Sequence, residues 1–207
     1  NSYVALERGP REMGAIHASF GFGSMVAPLA MTTILAAGLS WRVGFGVLVI
    51  AQIALGVALA VVAPAIRMPM EGRPERPERT GSRLLLGASI WTFFIYAGVE
   101  GSIGLWAFTL LTEGQGVADG AAGVGVAAYW GALFVSRLLI GIAGDRVPMN
   151  VTIRLSVVGI CAGAAMMWWD PSAAVAIGGL VLAGFSSGPV FPLEVLLTTS
   201  RFGAEFT

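Results

Sequence analysis

From Leu84 to Leu111 the sequence carries one charged side chain, Glu100, in an otherwise oily run. A helix of that length in water needs a charged face, and this run has none, so it reads as a membrane span. A charge at the bilayer centre costs about 2.5–3.5 kcal/mol on insertion scales and is normally turned towards a partner or a water-filled cavity. Glu100 is therefore the first candidate for function. Ser89, Thr92 and Tyr96 fall on roughly the same face at helical spacing and form a polar stripe with it. Gly98, Gly101 and Gly104 flank the acid, where glycines let another helix approach or let the helix bend and free backbone groups for a ligand. Two readings of Glu100 stand: a protonated carboxyl bonded to a neighbouring helix, or a residue lining a solute or proton path.

Five further runs have the roughly 20 apolar residues a crossing needs: Met13–Ala37, Val43–Ile66, Ala121–Gly144, Val151–Trp169 and Ser172–Thr199. With 56% hydrophobic residues, 12% charged and a mean hydropathy of +0.81, the chain lies outside the soluble range. The expected fold is all-α, a polytopic bundle of six complete transmembrane helices. If all six cross, both ends share one face with Arg8, Arg11, Arg67, Arg73, Arg76, Arg79, Arg83, Arg146 and Arg201, and the opposite loops hold Arg42. Basic residues stay on the cytoplasmic side, so both ends and the Arg67–Arg83 loop are expected there. The other side collects Glu113, Asp119 and Asp170.

The Arg67–Arg83 stretch, with its prolines, arginines and glutamates, cannot remain in lipid or build a core. It reads as a solvated linker whose charges meet water and lipid headgroups. Elsewhere the intramembrane polar groups are few. His17 lies about two turns inside the first span, where it serves either as a hydrogen bond across a helix interface or as a protonation site. Arg137 lies about two turns before the Gly141, Asp145, Arg146 group at a helix end, whose acid and base suit either a closed-state contact or topology marking. Tyr129 and Trp130 fall near mid-span. In the last span Gly184, Gly188, Pro189 and Pro192 disturb the helix, and Glu194 is placed to pair with Arg137 or Arg201.

Function classes fall away on the same evidence. The arginines sit where headgroups are met, so no nucleic-acid partner is expected. One cysteine, Cys161, and one histidine supply neither a disulfide framework nor a metal or haem set, so no cofactor or metal is expected. An enzyme would need converging acids or histidines, and the ionisable groups are scattered over different helices and depths.

Several segments together resemble the major facilitator superfamily, and within it the branch related to fucose:proton symporters. HASFGFGSMVAP (17–28) followed by GLSWR (38–42) resembles that branch's fifth helix and outer turn. YAGVEGSIGLW (96–106) resembles its seventh helix, YWGALFVSRLLIGIAGDR (129–146) its eighth, and GFSSGPVFP (184–192) its tenth. The resemblance implies a partial major facilitator fold. Residues 1–66 would close the amino-terminal bundle as helices five and six, 67–83 would be the cytoplasmic linker, and 84–207 would supply helices seven to ten. It further implies that the chain is a piece of a longer protein, that the seventh and tenth helices face the central cavity, and that His17 and Arg137 lie near the inner gate. Gly141, Asp145 and Arg146 resemble the superfamily's loop motif, with a departure at Pro148, Met149 and Asn150. The symporters' proton-linked acids lie on helices outside this stretch.

The expectation is a secondary transporter of a small polar solute, a sugar or similar, moved with protons by alternating access in a plasma or bacterial inner membrane. Its partners would be the bilayer, the solute and protons, and the full-length protein would be a monomer. Glu100, Tyr96, Trp106, Trp130 and Thr92 would line the path, His17, Arg137, Gly141, Asp145 and Arg146 would gate it, and Glu194 is a second acid. The rival expectations are an exporter of hydrophobic compounds and a membrane receptor that does not transport.

Overall fold

The computed structural model describes residues 10–62, 82–169 and 172–202. Its helices, in chain order, are α1 (Pro10–Ala36), α2 (Trp41–Val62), α3 (Arg83–Thr109), α4 (Asp119–Ala143), α5 (Met149–Trp169), α6 (Ala173–Ser187) and α7 (Val190–Phe202). A π-helical turn, Leu110–Gly114, extends α3, and a 3-10 turn, Gly144–Arg146, follows α4. Among the described residues there is no strand. Six stretches are long and apolar enough to cross a membrane: Ala15–Ala36, Trp41–Val62, Leu84–Gly114, Asp119–Ala143, Met149–Trp169 and Ala173–Thr198. They are the six expected spans. Most of the Arg67–Arg83 linker, the two ends of the chain and Asp170 lie outside the described residues.

Local chemistry explains the helix boundaries. Ser82 caps α3 by accepting from the Leu85 amide at 3.3 Å, and Ser172 caps α6 by accepting from Val175 at 3.5 Å. Gly38 ends α1 with a φ of +74°, a conformation that a side chain would strain, and the Gly38 and Leu39 amides fold back onto the Leu35 and Ile34 carbonyls. Helix α1 continues through Pro28. The last span does break: α6 stops at Ser187 and α7 starts at Val190, with Gly188 and Pro189 forming the turn.

Helix α4 is the hub. Its buried face runs through Ala122, Val126, Tyr129, Leu133, Ser136 and Arg137, and packs with Ala107 and Leu111 of the third span and Ala176, Leu180 and Ala183 of α6. Helix α1 lies antiparallel along its other side, with Gly21 against Leu133 and Phe134, Met25 against Gly131 and Thr32 against Gly123. The closest approach to α6 is at Gly184, where an added Cβ would fall 2.2 Å from the Tyr129 carbonyl oxygen. Helix α2 buries only Gly44, which meets Met31 of α1. The packing of α2 is thus confined to one end, and its large apolar side chains face outward, as lipid contact requires.

Candidate functional site

Four helices converge on Arg137, which is 2% exposed. Its Nη2 lies 3.1 Å from Glu100 Oε2 in an ion pair, with the two side chains 3% and 13% exposed. The remaining donors go to oxygens on three elements. Nη2 also reaches the Tyr96 hydroxyl at 3.2 Å, Nη1 the His17 carbonyl at 3.4 Å, and Nε the Gly188 carbonyl at 3.2 Å. The guanidinium carbon sits 5.6 Å from the centre of the Phe20 ring, a cation–π contact from α1. One planar, permanently charged fork thus ties α1, α3, α4 and the α6–α7 break together, which a lysine could not do.

The carbonyl at the break is available for a reason written in the sequence. In a continuous helix the Gly188 oxygen would accept from the amide of residue 192, but residue 192 is Pro and has no N–H. Arg137 Nε stands in for that donor. The neighbouring Ser187 carbonyl takes the Tyr96 hydroxyl at 2.9 Å. The same hydroxyl also bonds Glu100 Oε2. Tyr96 has one O–H proton and two acceptors, the Glu100 carboxylate and the Ser187 carbonyl, while accepting from Arg137. Tyr129 adds a bond from its hydroxyl to the Glu100 backbone carbonyl at 3.2 Å.

The stripe expected on α3 turns inward at Ser89, Tyr96 and Glu100, and Glu100 faces protein. Thr92 returns its hydroxyl to the Ala88 carbonyl of its own helix. Trp106 is not brought to the site: it is 67% exposed on the outside of α3. Of the three flanking glycines only Gly104 is closely approached, by the Trp130 ring, and a Cβ on Gly98 or Gly101 would meet nothing. The expected pairing of Arg137 with Glu194 is corrected, since the guanidinium takes Glu100. Glu194 is buried on α7, and the side chain of Arg201, its other expected partner, lies outside the described set. His17 contributes its carbonyl; its ring is buried edge-on against Phe191, 4.8 Å between centroids, with Nε2 unpartnered. Gly141 is buried and Arg146 exposed; the Asp145 side chain is outside the described set.

Beside the ion pair, a cleft of about 460 Å³ lies between Ser24, Ala27 and Pro28 of α1, Gly101, Gly104 and Leu105 of α3, and Val126 and Trp130 of α4. Pro28 leaves the Ser24 carbonyl without its helical donor there. A second cleft of about 530 Å³ shares the Pro28 and Val126 walls and extends to Phe108 and Asp119. Both are walled almost entirely by apolar groups. Each has the volume of a small-molecule site. Among the described residues no cluster of acids, histidines or cysteines has the makings of a metal site.

The family model described as Major Facilitator Superfamily matches residues 1–207, the whole chain. No curated protein and no solved structure matches it.

Proposed function

The chain belongs to the major facilitator superfamily of membrane transporters, and from that premise we propose that it moves a small polar solute together with protons, by alternating access, with Glu100 and Arg137 as the coupling pair. The observation that carries this reading is the buried Arg137–Glu100 ion pair with Tyr96 shared between it and the helix break. With Glu100 ionised, the carboxylate holds both Arg137 and the Tyr96 proton. Protonation of Glu100 removes the charge that Arg137 faces and frees the Tyr96 proton for the Ser187 carbonyl. The contacts between α3 and the α6–α7 break then change with the proton, as coupling requires. The solute would occupy the cleft at Gly101, Gly104 and Trp130, one turn along α3 from the acid.

In this reading both ends and the 67–83 linker are cytoplasmic, in a plasma or bacterial inner membrane, and the stretches before and after the linker belong to opposite bundles. The fucose-related branch and a sugar cargo follow from the resemblance of 17–28, 96–106, 129–146 and 184–192. The apolar lining of both clefts favours a second reading, export of a hydrophobic compound.

Uptake of labelled sugar into cells expressing the protein, measured between about pH 5.5 and 8 with Glu100 and with Glu100→Gln, tests the coupling. The expected result is pH-dependent uptake that Glu100→Gln weakens and flattens. Unchanged uptake and pH dependence in the variant remove Glu100 from the mechanism. Resistance to apolar toxins without sugar uptake moves the cargo to the second reading.

A further inference from the structure

Ser136, next to Arg137 in the chain, faces a different space. There α4, α5 and α6 line a cleft of about 260 Å³, open on the side of Leu139, Leu155 and Phe185. Its polar side chains are four hydroxyls, of Ser136, Thr152, Ser156 and Ser186. Ser136, Ser156 and Ser186 are 3%, 5% and 8% exposed. Among the described residues none of the four hydroxyls has a hydrogen-bond partner. Phe185 and Pro189 both line the cleft, and because Pro189 has no amide, the Phe185 carbonyl lacks the donor that a helix would give it.

A buried polar group left unpaired costs about 1–3 kcal/mol, so the three buried hydroxyls around one space, of Ser136, Ser156 and Ser186, call for a ligand. That ligand must donate as well as accept, since each hydroxyl has a proton to place. A metal cation meets lone pairs alone and would find no carboxylate here. An acyl chain meets neither need. Water meets both, and the cleft is several times the roughly 30 Å³ that one molecule occupies in the liquid. Thr152 sits in the first turn of α5 and Ser136 about two turns before the end of α4, so the row of hydroxyls runs towards the Gly144–Asn150 end of the bundle. The inner wall of the cleft is the Ser136 side chain against Gly188, the residue whose carbonyl holds Arg137.

We propose that the cleft between α4, α5 and α6 is a water site that brings solvent from the Gly144–Asn150 end to the back of Arg137. Its use in delivering protons to the Glu100–Arg137 pair rests on the transporter reading; its hydration does not.

The test places single cysteines in the protein with Cys161, which is exposed, replaced by alanine. Ser156→Cys and Thr152→Cys put a thiol in the cleft, and Val158→Cys puts one on the exposed apolar side of α5. In membrane vesicles a small cationic methanethiosulfonate reacts with the thiolate, which forms where water solvates it. Modification of both cleft thiols at least about tenfold faster than Val158→Cys is expected. Rates equal to that control at both positions, in protein with an unchanged melting transition, overturn the proposal. Fast reaction at Thr152→Cys alone overturns it too, because water would then stop at the surface. Fast reaction at both, in a protein whose transport ignores pH, upholds the water site and sinks the proton-coupling reading.

Discussion

Helices α2 and α4 both span by length and composition, yet they meet opposite fates. Helix α2, the more hydrophobic, leaves Ile50, Val57 and Val61 at 70%, 59% and 73% exposure, whereas α4 buries ten residues, Arg137 among them. In water the greasier helix would be the core. In lipid the tails are as apolar as leucine, so hydrophobicity gives no reason to leave them, and association falls to close packing and hydrogen bonds. Helix α4 has both, in Gly123, Gly125 and Gly131 along its seam and in the single guanidinium that reaches three other elements. Small and polar residues thus set where the helices of this protein meet, with a few leucines such as Leu111, Leu133 and Leu180 packed among them, while most of the large aliphatic side chains of α2 face outward.

That contrast can be broken first at Arg137. Arg137→Ala leaves the Glu100 carboxylate and the Gly188 carbonyl buried without their donor, a loss of about 3–5 kcal/mol by the behaviour of broken buried pairs. Thermal unfolding in detergent should show a large drop in Tm together with loss of transport. Replacing both partners, Glu100→Leu with Arg137→Met, sharpens the point. Most of that stability should return, because two apolar groups leave no orphaned charge, while any pH dependence of transport stays lost. Stability that fails to return would mean that the pair holds the bundle together and is not there for coupling.

The next effect down is Gly184→Ala, whose Cβ would collide with the Tyr129 backbone and force α6 off α4. A cost of about 1–3 kcal/mol in the same melting assay is expected. Pro192→Ala returns an amide to the Gly188 oxygen, so it should change stability little and reduce the penalty of Arg137→Ala when the two are combined. The smallest change belongs to α2, where Val57→Ala should stay within about 0.5 kcal/mol of the parent. A large loss there would show α2 to be covered by protein.

The spans were legible because length and the absence of charge are local properties, and the inward stripe of Ser89, Tyr96 and Glu100 was legible because a helix has a fixed period. The partner of Glu100 was not. Arg137 lies 37 residues away, and which face of α4 turns to α3 is decided by packing, so depth along the helices alone, which offered Glu194 either Arg137 or Arg201, could not single out Glu100 as the acid that Arg137 takes. Trp106 was assigned to the path for its ring, although six residues beyond Glu100 it falls off the stripe that defined the inner face. The acceptor at the break was readable in principle: Pro192 four residues after Gly188 removes one helical donor, and such a carbonyl needs another. Tyr129, whose hydroxyl holds the Glu100 backbone, carried no comparable signal.

Infrared difference spectroscopy of the protein in lipid, cycled between high and low pH, tests the coupling claim most directly. If Glu100 takes up the proton and lets Arg137 go, a protonated-carboxyl band appears at low pH, shifts when solute is added, and is missing in Glu100→Gln. A band that persists in Glu100→Gln, or no carboxyl change across the range that alters transport, would contradict the account.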